Sequence, residues 1–242
     1  MNNALVQSAA LVLCSYNIHA AVGRDGRFDP DRTLSVIREL DADIIALQEV
    51  QGLDLLDFLA SRAGFDAIAG PTLLRQGQDY GNALLTRLPV RQVEHLDLSV
   101  PDWEPRGALN AMLDVDGQPF RVLATHFGLR PAERRRQARQ VLRRLNQWDR
   151  GEMTALLGDF NEWLPWGRPL RGLNAWFERA PAPATYPASF PLLRLDRIWL
   201  RPRGRLLAIH AHQSRLARLA SDHLPIVATV NFNRDEGLEM EE

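Results

Sequence analysis

Apolar residues along the chain fall mostly into short runs rich in Leu, Val and Ile, bounded by turn-forming clusters, the pattern of strands buried on one or both faces. The runs predict strands over residues 11–16, 44–48, 83–86, 108–114, 120–125, 154–157, 197–200, 206–211 and 226–232. Three stretches repeat at helical spacing instead. Residues 31–39 open on Asp-Pro-Asp and carry Leu34, Ile37 and Leu40 on one face, residues 53–63 follow the same rule, and residues 132–148 line up Ala138, Val141, Leu142 and Leu145. The rest of that third helix is arginine-rich, which reads as a solvated face or as a phosphate-binding stripe. Residues 161–191 hold six of the 15 prolines and three of the six tryptophans and read as loop. The Pro181-Ala182-Pro183-Ala184 segment is too short for an interdomain linker, so residues 1–232 are expected to form one domain, followed by an acidic tail over residues 233–242.

Composition narrows the function classes. The 242 residues are 45% hydrophobic and 24% charged, with 29 basic against 30 acidic side chains, which excludes global disorder and nucleic-acid binding by bulk charge. A local basic patch remains open. Every basic residue is Arg; without Lys there is no Schiff-base lysine and no P-loop lysine. The single Cys14 lies in an apolar run and can form no intramolecular disulfide, which points to a reducing, cytoplasmic setting. Residues 9–14 lack the basic flank of a leader peptide, and no apolar run approaches the roughly 20 residues that span a bilayer.

The chemistry is positional: apolar runs end in residues that bind metals or move protons. Residues 11–16 lead to Asn17, 44–48 to Glu49, 121–125 to His126, and 155–158 to Asp159, with Asn161 two further on. Asp196 opens the run Arg197-Ile198-Trp199-Leu200, and Ser221-Asp222-His223 precedes the last strand. Each has an ordinary explanation taken singly: Asp159-Phe160-Asn161 is also a turn pair, and His126 also reads as a satisfied histidine. Glu49 is harder to explain away, because a carboxylate ending an apolar strand is costly without a cation. Together these residues are oxygen ligands and proton-transfer groups, the set that suits a hard cation such as Mg²⁺, with Mn²⁺ as a substitute, and hydrolysis of a phosphate ester.

Six ordered segments, Ser15-Tyr16-Asn17-Ile18, Leu47-Gln48-Glu49-Val50, Thr125-His126, Gly158-Asp159-Phe160-Asn161, Leu195-Asp196-Arg197-Ile198 and Ser221-Asp222-His223-Leu224-Pro225, resemble the endonuclease/exonuclease/phosphatase (DNase I-like) superfamily, in its small bacterial metal-dependent hydrolase branch. The resemblance implies an α/β fold: a four-layer α/β/β/α sandwich of two mostly antiparallel sheets face to face, with helices outside. It implies Glu49 and Asn17 as metal ligands with Asp222 as a further metal-site carboxylate, Asp159 orienting the attacking water, and Asn161 donating to phosphate oxygens. His223, paired with Asp196, would stabilise the phosphoryl transition state, and His126 matches a histidine of DNase I and of the lipid and inositol phosphatases. Less sharply, Asn82 in the 80–87 segment and Arg106 in Pro105-Arg106-Gly107-Ala108 could reach substrate oxygens; each also reads as a turn residue.

The substrate is an open choice at this level. A lipid headgroup or small phosphodiester comes first, with peripheral membrane contact through Trp163 and Trp166. A nuclease is the alternative, drawing on the arginine-rich helix and on Arg194, Arg197, Arg201, Arg203 and Arg205 for backbone contacts. A catalytically silent binding module is a third reading.

Overall fold

The computed structural model describes residues 10–232; the acidic tail lies outside the described residues. The strands are β1 (Ala10–Asn17), β2 (Ile44–Gln51), β3 (Asp66–Arg75), β4 (Gln78–Thr86), β5 (Val90–Asp97), β6 (Gly107–Val115), β7 (Gln118–His126), β8 (Met153–Asp159), β9 (Asp196–Arg201), β10 (Leu206–Ala211) and β11 (Ile226–Asn231). The helices are α1 (Pro30–Glu39), α2 (Leu53–Ala63), α3 (Pro131–Trp148), α4 (Arg168–Phe177) and the single turn α5 (Ala217–Ala220). The order β10-β11-β1-β2-β4-β3 makes one sheet and β5-β6-β7-β8-β9 the other. Each contains a single parallel pair, β1 with β2 and β7 with β8, and is otherwise antiparallel.

Strand alternation decides the layering, because successive side chains point to opposite faces. Leu13, Ile44, Ala46 and Leu84 from the first sheet meet Leu109, Ala111, Val122, Ala155, Leu157 and Ile198 from the second in the central core. The other face of the first sheet presents Tyr16, Ile45, Leu47 and Leu85 to Leu34 and Ile37 of α1 and Leu55, Leu56 and Leu59 of α2. The outer face of the second sheet presents Leu123, Leu156 and Trp199 to Ala138, Val141 and Leu145 of α3 and Leu170, Leu173 and Phe177 of α4. These three cores are the interfaces of the α/β/β/α sandwich that the resemblance implied. The Asp-Pro-Asp start of α1 works as read: Asp29 accepts the Arg32 backbone N–H at 3.0 Å, with Pro30 in the first turn.

Besides the single turn α5, three elements depart from the sequence reading. Strands β3 and β5 were not anticipated: both are sheet edges, where exposed positions such as Arg91, Gln92 and His95 break the apolar alternation. Residues 161–191 are not loop throughout, since α4 forms within them. Its start has Pro169 in the first turn, and Leu170, Leu173 and Phe177 stand at helical spacing, a signal masked by the surrounding prolines and tryptophans.

Gly158 marks the tightest approach of backbone to backbone beside the site. It has φ +154°, and a Cβ there would stand 1.9 Å from the Thr125 carbonyl oxygen of the neighbouring strand β7. Gly158→Ala is therefore expected to cost on the order of 1–3 kcal/mol. Thermal denaturation should show this as a fall of roughly 2–4 °C per kcal/mol, and an unchanged midpoint would refute the close packing of β7 on β8.

Candidate active site

Register places the chemistry in a row. His126 at the end of β7 pairs with Asp159 at the end of β8, and Asp159 pairs with Asp196 at the start of β9, so three polar residues stand side by side at one sheet edge. The next residues, Phe127 and Phe160, turn into the outer core, where their rings meet at 4.8 Å and Phe160 packs edge-on against Trp199 at 4.8 Å. Polar and aromatic neighbours thus share the work: one faces the site while the other anchors the strand end.

Asp159 Oδ2 is the meeting point. The Asn17 amide nitrogen of the opposite sheet donates to it at 3.3 Å and to Glu49 Oε1 at 3.2 Å, while His126 Nε2 and His223 Nε2 each stand 3.6 Å away. Asp159 Oδ1 accepts the Asn161 backbone N–H at 2.8 Å. Burial pushes the Asp159 carboxyl up to about 6, with the His223 charge opposing that rise and Asp196 adding to it. This is a carboxylate close to the poise of a general base.

The two histidines have opposite surroundings. His223 Nδ1 donates to Asp196 Oδ2 at 2.8 Å, and the same oxygen accepts the Thr185 hydroxyl at 2.5 Å. Burial pulls His223 down, but Asp196, Asp159 and Asp222 together outweigh it and hold the imidazolium up to about 10. His126 is driven well below its ordinary value by burial, the Arg106 guanidinium and the His223 charge. Arg106 Nη1 lies 3.1 Å from His126 Nδ1, and the Asn161 amide nitrogen lies 3.1 Å from His126 Nε2 while donating to the Phe127 carbonyl at 2.9 Å.

Glu49 reaches the edge through a bulge. The β2–β4 register slips between Leu47 and Val50, and Glu49 takes φ +59°. Val50 then fills the helix-side position that strict alternation would assign to residue 49, which frees the carboxylate to turn toward Asn17. Its charge and burial raise the Tyr80 hydroxyl beyond its ordinary range, burial being the larger cause. Ser221 Oγ donates to the Asn17 carbonyl at 2.7 Å and brings Asp222 to the same strand end. Of the residues that the resemblance implies as cation ligands, Glu49 and Asp222 offer carboxylate oxygens that suit a hard divalent cation, whereas Asn17 turns its amide nitrogen toward Glu49 and its Oδ1 toward the His19 N–H. Asp159, Asp196 and His223 also present atoms within 4.8 Å of one another and could hold a metal ion, but both ring nitrogens of His223 already face carboxylates.

Asn82 and Arg106 sit differently from the rest. The Asn82 amide nitrogen donates to the Gly107 carbonyl at 3.0 Å, tying β4 of one sheet to β6 of the other. Arg106 is buried, with Nη2 on Glu104 at 2.9 Å as well as Nη1 on His126. Three features went unnoticed in the sequence. Glu104 is one; it binds both Arg106 and Arg75. His19 is another: its backbone N–H donates to Asn17 Oδ1 at 3.1 Å, in a turn where His19, Ala20 and Ala21 all have positive φ. The third is the buried ion pair of Arg134 with Glu162 at 3.2 Å, which pins the loop after Asn161 to α3 and takes Arg134 off the exposed basic face. Only the adjacency of Glu162 to Asn161 hinted at it.

The endonuclease/exonuclease/phosphatase family profile matches residues 14–223, and the chain belongs to that family. Members of the family are phosphoester hydrolases, and this chain is one by class. It is 32% identical to the Escherichia coli K12 protein YbhP over 93% of this chain and 98% of that one. Its fold is similar to that of a functionally unknown conserved protein of Enterococcus faecalis V583, with TM-score 0.77 and 19% identity over 91% of this chain and all (100%) of that one. It is also similar to D. rerio TDP2 solved in complex with a single-strand DNA product, with TM-score 0.70 and 18% identity over 92% and 99% of the two chains.

His223 provides a check on this electrostatic arrangement. Because its folded value of about 10 lies above the ordinary 6.5, its stabilising contribution is complete below about 6.5 and is lost as pH rises through about 10. NMR titration of metal-free protein should find His223 still charged at pH 8, and Asp196→Asn should bring its titration down. A wild-type midpoint near the ordinary value would contradict the arrangement.

Proposed function

We propose that the chain is a Mg²⁺-dependent phosphodiesterase in which Asp159 orients and deprotonates a water for in-line attack on phosphorus. The observation that carries this reading is the convergence on Asp159 Oδ2 of Asn17, His126 and His223, with the Asn161 amide alongside. The water oxygen forms the new bond to phosphorus, its proton passes to Asp159, and the bond to the leaving oxygen breaks on the opposite side, that oxygen departing as an alkoxide that takes its proton from solvent. His223, held as an imidazolium by Asp196, presents Nε2–H to the phosphoryl oxygens, and Asn161 donates beside it. Glu49, Asn17 and Asp222 would hold the cation, Mg²⁺ or Mn²⁺ in its place, whose charge offsets that of the phosphate oxygens.

For the substrate we favour a lipid headgroup or a small phosphodiester. Ten of the thirteen exposed large hydrophobic side chains among the described residues lie on loops or element ends at the edge that carries the site, among them Phe28, Leu129, Trp163, Trp166, Phe190 and Leu192; the other three, Val90, Val93 and Leu207, lie on β5 and β10. Trp166 is 71% exposed and Phe190 69%. Aromatic tips mixed with leucines suit the interfacial zone of a bilayer, where a surface for stacking bases has no use for leucine. No helix among the described residues is long and apolar enough to cross a membrane, so the contact would be peripheral.

Several of the arginines read as contacts for a nucleic-acid backbone stand away from the site, although Arg194 is exposed two residues from Leu192 at its edge. Arg143 and Arg144 stand about 18 Å along α3 from its site-proximal end. Arg201 is paired with Asp149 near the opposite end of the sheet, and Arg197 is buried.

Two measurements test the reading. Hydrolysis with Mg²⁺ or Mn²⁺ across bis-p-nitrophenyl phosphate, p-nitrophenyl phosphate, phospholipid, inositol phosphate and single- and double-stranded DNA should be abolished by EDTA and highest on a non-nucleic diester. Asp159→Asn and His223→Ala should each lower the rate by about 100-fold or more with the fold intact. Retained activity in either variant sinks the assignment, and preference for DNA moves the chain to the nuclease reading. Separately, Trp163→Ala with Trp166→Ala should abolish cosedimentation with phospholipid vesicles while sparing turnover of the soluble diester. Vesicle binding equal to that of the wild type would remove the membrane contact.

A further inference from the structure

We propose that Arg106 is a positioning residue that acts through His126, locking the imidazole in the tautomer with its proton on Nε2 so that Nε2–H and the Asn161 amide form a two-donor cradle for a non-bridging phosphate oxygen. The inference rests on the phosphodiesterase reading for its consequence in catalysis, and on hydrogen-bond geometry for the tautomer itself.

A guanidinium has donors and no acceptor. Donors face both ring nitrogens, Arg106 Nη1 at 3.1 Å from Nδ1 and the Asn161 amide at 3.1 Å from Nε2; the charged guanidinium makes the stronger claim on a lone pair, and the acceptor Asp159 Oδ2 stands on the Nε2 side, so Nδ1 is the nitrogen left bare. The proton of the neutral ring is then on Nε2. There it meets Asp159 Oδ2 at 3.6 Å, the only acceptor that the described contacts place near either ring nitrogen. The other neighbour of Nε2 is the Asn161 amide nitrogen at 3.1 Å, and that amide cannot turn over. Its nitrogen donates to the Phe127 carbonyl at 2.9 Å, and a flip would set carbonyl oxygen against carbonyl oxygen. Two N–H donors therefore stand side by side and repel one another. An anionic oxygen placed against both accepts from both and turns that repulsion into binding, which is how preorganised donors favour developing negative charge.

Arg106 is built to hold this geometry. Its Nη2 is 2.9 Å from Glu104 Oε1, the other Glu104 oxygen is 3.0 Å from Arg75 Nη2, and the Arg75 guanidinium lies 3.7 Å over the Tyr80 ring. The chain of contacts aims the guanidinium from behind the imidazole. His223 shows the converse arrangement: its Nδ1 faces the Asp196 carboxylate, an acceptor, so that ring keeps a proton on Nδ1. Two histidines flank one aspartate, and the partner on Nδ1 assigns each its form. The low proton affinity of His126 agrees with this, burial and Arg106 being its two leading causes.

The test begins with ¹⁵N–¹H NMR of histidine-labelled, metal-free protein. His126 should show a bare Nδ1 and a protonated Nε2; a proton on Nδ1 overturns the proposal. Arg106→Glu puts an acceptor in place of the donor. It should move the proton to Nδ1 and lower kcat by about 100-fold, as for loss of one oxyanion donor, with KM changed by less than about threefold. Arg106→Lys keeps a donor there and should retain the tautomer, with kcat within about tenfold of wild type. A raised KM with unchanged kcat in Arg106→Lys would make Arg106 a substrate anchor and overturn the proposal. Should Arg106→Glu fail to fold, the wild-type spectrum and the Lys variant still decide. Because the spectrum needs neither substrate nor metal, absence of EDTA-sensitive turnover would end the phosphodiesterase reading without touching the tautomer result.

Discussion

One buried carboxylate holds the site together. Asp159 is 1% exposed, and a carboxylate so placed is tolerable only where donors and positive charge surround it. Those partners come from both sheets: Asn17 from the end of β1, His126 from β7, and His223 from the segment leading into β11. The seam between the sheets is thus closed at this edge by hydrogen bonds and charge, where elsewhere it is closed by the central apolar core. Losing the alignment of the two sheets would strip Asp159 of Asn17 and His223 and leave it only His126 and the Asn161 N–H, so fold and chemistry constrain each other at one group.

The alignment is enforced from outside. Phe127 and Phe160, each one residue beyond a site residue, are locked into the outer core with Trp199, and Glu162 ties the following loop to α3 through Arg134. Truncating an aromatic ring in such a core costs about 3–5 kcal/mol. The site itself adds little hydrophobic stabilisation; its precision is borrowed from the layers behind it. Gly158 completes the arrangement by letting β8 press against the Thr125 carbonyl immediately before Asp159.

Much of this was legible in the chain. Central strands are buried on both faces and appear as apolar runs, so Asn17, Glu49, His126 and Asp159 could be picked out as polar residues closing such runs. Edge strands β3 and β5 carry no such contrast and went unseen, as did α4 among its prolines. Arg106 and Asn82 drew attention as residues for substrate oxygens, yet the structure shows their nearest partners to be His126 and Glu104 in one case and Gly107 in the other. Nothing local distinguishes an arginine that grips a phosphate from one that grips a histidine.

The amino-acid sequence by itself determined which residues could do chemistry and where most strands and helices lie, because alternation and helical periodicity are local properties that each segment carries alone; the layered class of fold followed from the resemblance to a known superfamily. Only the tertiary structure decided which of those residues meet. Whether His126 and Asp159 stand in one row depends on the register of β7 against β8, and whether Asn17 joins them depends on how one sheet lies on the other. The proton on each histidine follows from the partner at Nδ1, Asp196 for one and Arg106 for the other, and those contacts span 27 and 20 residues of chain. Such pairings are set by packing over long separations, a constraint that no local pattern records.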